Sequence, residues 1–272
     1  INRGFDIRTS YTILQNVKER SFLTVNLNIS RNKNKLAKLS DAMNVYNESQ
    51  NASVSGTAPA QLYYDGVSMN AIWAVRSLGI DPHNGREIYL SSRGLPTYNW
   101  SAADQVVLGD EMPKFQGTGG ISFEWKGIGG NASFTFQYGA QMYNTTLVQK
   151  VENANLSDNV DARLFDGVWR PGEGGVKPYR APRYRDPSTG NWVTPETKPT
   201  SRFVQDRNEF ALTNLSLYYD FYRYEFLKRC GMERLRVSAY ANNLFTISSI
   251  EIERGTSYPF ARSFNFSLSV TF

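Results

Sequence analysis

The chain has 272 residues, 30 lysines and arginines against 25 aspartates and glutamates, a net charge of +5, and 14% aromatic against 20% charged residues. One cysteine, Cys230, excludes an internal disulfide, and one histidine, His83, excludes a two-histidine zinc site and leaves Ser-His-Asp catalysis to a turn-like Asp-Pro-His-Asn-Gly segment. No run of 18 apolar residues predicts a transmembrane helix, and low charge with many aromatics and asparagines points to β structure rather than disorder.

Seven segments alternate with a period of two, which places successive side chains on opposite faces of a strand. The first sets Phe5, Ile7, Thr9, Tyr11 and Ile13 against Asp6, Arg8, Ser10 and Thr12. Leu23, Val25, Leu27 and Ile29 share a face of the second, and Ile121, Phe123 and Trp125 a face of the third. The fourth is the most regular, with Ala132, Phe134, Phe136, Tyr138 and Ala140 opposite Asn131, Ser133, Thr135, Gln137 and Gln141. In the fifth, Ala211, Thr213, Leu215, Leu217, Tyr219 and Phe221 face away from Asn214, Ser216, Tyr218 and Asp220. Phe210 and Leu212 break that pattern, because they share parity with Asn214; a bulge or an interfacial aromatic accounts for this. The sixth carries Leu235, Val237, Ala239 and Ala241, and the last Phe264, Phe266, Leu268, Val270 and Phe272. No apolar-face position is charged, whereas the opposite faces carry Asp6, Arg8, Glu124, Lys126, Asp220, Arg234 and Arg236.

Alternation suits a soluble sandwich as well as a membrane barrel. Connection lengths separate them. In chain order the gaps run about 5 residues (15–19), about 85 (32–116), a tight Gly127-Ile128 turn, about 65 (143–207), about 10 (222–231) and about 17 (245–261). Short turns alternating with long loops are the pattern of an up-and-down outer-membrane barrel, with tight turns on the periplasmic side and long loops outside. The predicted fold is therefore all-β, an antiparallel transmembrane barrel segment whose long extracellular loops span about 32–116 and 143–207. Trp73–Gly79 and Glu87–Leu90 are expected to form a hairpin inside the first loop. Ile1, with neither methionine nor a signal-peptide pattern at the start, predicts the inner or C-terminal part of something longer. Phe264, Phe266, Leu268, Val270 and Phe272, ending on an aromatic, have the form of an outer-membrane insertion signal.

Other motifs carry less. Asp81–Gly85 and Asp186–Gly190 read as Asp-Pro turns rather than calcium loops, because Asp81, Asn84 and Glu87 do not supply six or more oxygens. Gly172–Gly175 lacks the Lys-Ser/Thr of a phosphate loop. Asn242-Asn243 reads as a strand-end cap, and Asp104 with Asp110 and Glu111 as exposed loop charges rather than an acid–base pair. No catalytic residue, metal ligand or cofactor is predicted. The basic runs Arg31–Lys38 and Arg180, Arg183 and Arg185 read as solvated loops or as contacts with anionic surface, including lipopolysaccharide phosphates, and not as a nucleic-acid site.

Arg76-Ser-Leu-Gly-Ile-Asp-Pro-His-Asn-Gly-Arg-Glu-Ile-Tyr-Leu90, Val107-Leu-Gly-Asp-Glu-Met-Pro-Lys114, Ser201-Arg-Phe-Val204, Leu212–Asp220, Ala241-Asn-Asn-Leu-Phe-Thr246 and Tyr258–Ser263 leading to Phe272 resemble, in order and spacing, the C-terminal part of the SusC/RagA family of TonB-dependent outer-membrane transporters. Val168-Trp-Arg-Pro-Gly-Glu173 departs from the family pattern, in which an Arg-Trp pair precedes Pro-Gly by a longer spacer. The resemblance implies seven or so strands of a 22-stranded barrel. It implies a TonB complex that acts through an N-terminal part this chain does not include, a SusD-like surface lipoprotein as partner, and import of oligosaccharides or peptides across the outer membrane. Ligand contact is expected of the loop aromatics Tyr98, Trp100, Tyr143, Trp169, Tyr179, Tyr184 and Trp192. Lumen-facing Asn131, Thr135, Gln137 and Tyr240 are expected to line the path or to touch the plug. The rival readings are a soluble β-sandwich carbohydrate-binding module and an outer-membrane lipase or protease on a smaller barrel.

Overall fold

The computed structural model describes residues 1–52, 56–157, 160–173, 175–186, 188–222, 224–251 and 262–272. In chain order, β1 (Asn2–Asn16) and β2 (Ser21–Asn34) are followed by helix α1 (Asp41–Ala52) and five short strands: β3 (Ala71–Val75), β4 (Ser77–Ile80), β5 (Glu87–Leu90), β6 (Pro96–Thr97) and β7 (Gln105–Asp110). Next come β8 (Phe115–Trp125), β9 (Ile128–Tyr143), helices α2 (Thr145–Leu147) and α3 (Arg163–Gly167), and the two-residue strands β10 (Tyr184–Arg185) and β11 (Trp192–Val193). The chain closes with β12 (Val204–Phe221), helix α4 (Glu225–Arg229), β13 (Arg234–Ser248) and β14 (Ser263–Thr271).

Two compact units result. One holds 3–32, 113–139 and 207–272; the other holds 1–2, 33–112 and 140–206. The long strands form a seven-stranded sheet in the order β1-β2-β8-β9-β12-β13-β14, so each pairs with its neighbours in sequence and β1 and β14 are its edges. These are the seven segments that alternation picks out, and the ladders β2–β8, β8–β9, β12–β13 and β13–β14 are antiparallel.

Turn chemistry sets the register. Lys126 and Gly127 take φ of +50° and +97°, the left-handed pair a two-residue hairpin needs to match strand twist. The ladder behind them runs without interruption from Trp125↔Ile128 to Phe115↔Tyr138. Within it, Gly117 lies opposite Phe136 and Gly119 opposite Phe134. A β-carbon on Gly119 would collide with the Phe134 ring and one on Gly117 with the Phe136 ring, so these two glycines are the recesses over which aromatic rings lie.

The apolar faces remain exposed. Phe266 is 83% and Leu268 66% accessible, and Ile121, Trp125, Tyr138, Leu217 and Val237 on neighbouring strands are also exposed. A sandwich would hide such a face against a second sheet.

The anomaly at Phe210 and Leu212 is a bulge. The β12–β13 register slips between Leu212↔Phe245 and Asn214↔Asn242, and Asn243 takes a left-handed φ of +53°. The expectation for Ala211 is thereby overturned: it lines the polar hollow with Gln137, Arg207 and Glu209, while the Phe210 ring meets Phe134 at 5.4 Å. Asn242-Asn243 likewise does not end a strand, since β13 continues to Ser248. The hairpin expected in the first long loop also needs adjustment: β4 pairs with β5, but Trp73 belongs to β3, which pairs with β7.

Part of the Tyr258–Ser263 motif and of the last loop (252–261), Gly174 of Gly172–Gly175 and Pro187 of Asp186–Gly190 lie outside the described residues.

Candidate functional site: the two long insertions

The second unit gathers most of both long insertions around two apolar clusters. Ile72, Tyr143, Leu147, Val148, Val151, Val168 and Phe203 form the larger, with Leu164, Tyr179 and Val204 against it; Ile80, Trp169 and Ala181 form the smaller. Beside them runs a buried ionic network. Arg202 forks onto Glu87, Nε to Oε1 at 2.7 Å and Nη2 to Oε2 at 2.6 Å, and its Nη1 donates to Glu152 and to the Pro178 carbonyl. Glu152 also accepts from the Arg180 backbone N–H and from the Thr197 hydroxyl. Arg180 in turn donates to Thr197, Asn153 and the Ala181 carbonyl.

Burial pushes the Glu152 carboxyl up, but the charge and hydrogen bonds of Arg202, with Arg180 behind them, outweigh it and hold the group below the usual carboxylate range. Burial alone would lower Arg202, yet its bonds to Glu87 and Glu152 raise it above its ordinary value. Arg180, placed by sequence in a solvated or surface-binding run, is instead buried, because these acceptors desolvate and satisfy it together. The Ser201-Arg-Phe-Val204 motif held the signal for this network: Arg202 is its hub, and Phe203 is fully buried.

The expected ligand-contact aromatics divide by environment. Tyr143 is buried, donates to the Thr57 carbonyl at 2.7 Å and meets Phe203 edge-on. Trp169 is buried over Gly85 and donates to the Pro82 carbonyl at 2.9 Å. Tyr179 packs against the larger cluster, and Trp100 donates to the Pro199 carbonyl at 3.1 Å. These four brace the insertions against one another, and the first two present no free ring face. Tyr98 and Tyr184 flank Arg86, whose guanidinium lies 4.4 Å and 4.7 Å from their ring centres. Trp192 alone of the seven is largely exposed, at 61%, with the Arg183 guanidinium 4.9 Å from its ring.

Asp81 accepts from the Tyr98 hydroxyl, the His83 backbone N–H and the Asn84 amide. Those donors, the Tyr98 bond foremost, lower its carboxyl, and they occupy it as a turn cap; Glu87 faces Arg202 instead. Asp104 and Asp110 cap the backbone N–H groups of Ser92 and Met112.

In the first unit, the four residues expected to face a lumen lie on polar sheet positions. Asn131 accepts from the Ser216 hydroxyl at 2.6 Å. Thr135 and Gln137 line a hollow of about 430 Å³ with Asn28, Gln116, Thr118, Arg207 and Glu209, and Gln137 donates to Glu209. Tyr240 is exposed. Sequence reading missed an ionic cluster on this face: Asp220, its side chain wholly buried, accepts from Arg20, Arg234 and Arg236, while Tyr218 donates to Glu124. The lone charges at 20, 124, 220, 234 and 236 become a cluster only through the register of the strands.

No protein-family model matches the chain. It is 25% identical over 264 residues to TonB-dependent receptor P3 of Formosa agariphila, an alignment that covers 91% of this chain and 24% of that protein. Among solved structures it is similar to the RagAB peptide transporter (TM-score 0.68, 19% identity) and to the RagAB peptide importer in the open-open state (0.67, 18%) and the closed-closed state (0.66, 19%). Each alignment covers 92% of this chain and 25–26% of the other. The chain thus spans about a quarter of the length of the proteins it resembles, and in sequence and fold it is similar to part of a SusC/RagA-like TonB-dependent transporter.

Proposed function

We propose that this chain is the C-terminal wall of the barrel of a TonB-dependent outer-membrane importer of large nutrients, oligosaccharides or peptides, that works with a SusD-like surface lipoprotein. The observation that carries the reading is a seven-stranded next-neighbour antiparallel sheet with an exposed apolar side and an opposite side bearing Gln137, Glu209, Asp220 and Arg236. Acyl chains match the first side and an aqueous path the second. The open edges at β1 and β14 fit a sheet continued by further strands, since unpaired backbone groups in lipid cost several kcal/mol each. The terminal Phe264–Phe272 pattern serves insertion. Tyr98, Trp100, Tyr184 and Trp192 are the remaining candidates for cargo contact, and Asn131, Thr135, Gln137 and Tyr240 for the path.

The full-length protein is expected to fractionate with the outer membrane and to migrate faster on gels before boiling than after. A deletion strain is expected to lose growth on one class of oligosaccharide or peptide. Recovery of the full-length protein as a monodisperse species in detergent-free buffer would overturn the reading and favour a soluble binding module.

A further inference from the structure

The β10–β11 ribbon separates two chemistries across its faces. Tyr184 pairs with Val193 and Arg185 with Trp192, and paired residues point to the same side. Tyr184 turns toward Arg86 on one side. Arg185 and Trp192 occupy the other, joined by Arg183, whose guanidinium lies 4.9 Å from the Trp192 ring centre. A guanidinium over an aromatic ring keeps its full charge and its N–H donors, because the ring contact uses neither. Trp192 itself is 61% exposed, so much of the indole remains accessible from solvent.

Among the described residues these two cations form no ion pair. Among the described residues, Arg183 makes only the ring contact, and Arg185 donates through Nε to the Gly190 carbonyl at 2.8 Å, leaving its Nη edge open. The adjacent carboxylate, Asp186, accepts from the backbone N–H groups of Ser188 (2.7 Å) and Thr189 (3.3 Å), so it serves the turn. An aromatic face beside two guanidinium edges matches one ligand chemistry: a pyranose ring that stacks and carries a carboxylate or sulfate for bidentate hydrogen bonding.

We infer that Arg183, Arg185 and Trp192 form a binding site for an anionic saccharide unit, a uronate or a sulfated sugar. As a statement about cargo this rests on the importer reading; as a statement about binding it stands alone. An acidic peptide would use the arginines but has no sugar ring to place on Trp192. Phosphorylated lipopolysaccharide offers the same sugar-plus-anion chemistry from the cell's own surface.

The test is calorimetric titration of the full-length protein in detergent with oligogalacturonate, a sulfated galactan oligosaccharide, carboxyl-reduced oligogalacturonate, poly-glutamate and phosphorylated lipopolysaccharide core. At least one of the two acidic sugars is expected to bind about tenfold or more tighter than the neutral oligomer, with a preference that shrinks as salt rises. Arg183→Gln with Arg185→Gln is expected to abolish the preference, and Trp192→Ala to weaken acidic and neutral sugars alike. Equal binding of acidic and neutral sugars, no binding of either acidic sugar, or a preference that survives the double glutamine variant overturns the inference. So does poly-glutamate binding as tightly as the uronate, or lipopolysaccharide core binding tighter than both acidic sugars. Fractionation of the same cells keeps the two readings apart. A protein in the outer membrane without acidic-sugar binding loses this inference alone, and one outside that membrane with Arg183-dependent binding loses the importer reading alone.

Discussion

Arg202 offers five donors in a planar fork, and the fold spends them on two buried carboxylates and a carbonyl. Its removal would strand Glu87 and Glu152 without their charge partner in a desolvated site, a loss of about 3–5 kcal/mol for a buried pair of this kind. Arg202→Met is therefore expected to raise amide hydrogen exchange across 144–152 and 163–173 in the full-length protein; exchange equal to wild type would show that the network carries no stability. Acid should act on the same site. Because the folded state holds Glu152 below the ordinary carboxylate range, its contribution is complete above the unfolded value of about 4.3 and is lost as pH falls through the folded value. Protection of this unit is expected to persist at pH 5 and to decline below about pH 4, and Glu152→Gln is expected to flatten that decline. Little of this was legible in the sequence, where Glu87, Glu152, Arg180 and Arg202 are isolated charges 22 to 65 residues apart from their nearest network neighbour in sequence order. Only folding makes them adjacent, and no local period encodes an ion pair.

Elements behave differently, because a strand writes its two faces into every second residue. All seven long strands could be read that way, and the alternation of short and long connections too, although the tight turn falls one residue earlier than expected, at Lys126-Gly127 with Ile128 already paired to Trp125. What escaped was the face exchange in β12, because a single slipped residue inverts the pattern without changing composition. The register slip between Leu212 and Asn214 puts Phe210 on the side of Phe134. Two substitutions test the faces. Leu268→Arg sits on the apolar side of β14 and is expected to cost roughly 2–4 kcal/mol if that side meets mid-bilayer lipid, read as a drop in folded yield in liposomes. Ser267→Arg, one residue along and on the opposite side, is expected to be tolerated. Equal penalties would place both sides in the same medium. Gly119→Val tests the aromatic recess: with the Phe134 ring already where a β-carbon would go, the ring must leave its place, and the unboiled form should dissociate at a lower temperature.

At the scale of the molecule, the loop-length rhythm carried more information than any motif, because it reports which ends of the strands are free to grow. The insertions themselves were legible only as insertions. Their aromatic residues were expected at the surface, yet Tyr143 and Trp169 serve as interior packing, since a long excursion from a sheet needs an apolar centre of its own. Trp192 stays outside because its two-residue strands are too short to enclose anything.

The ionic knot of Glu87, Glu152, Arg180 and Arg202 has one more consequence. It fastens an acidic residue of the first excursion to the second, while the 184–193 ribbon stands outside this knot and meets the first excursion through the Tyr184 ring at Arg86. Change at 185–192 is thereby insulated from the knot, so what the ribbon displays can vary without rebuilding what anchors it. A foreign hairpin of equal length spliced in at 185–192, with Tyr184 kept, is expected to leave assembly intact.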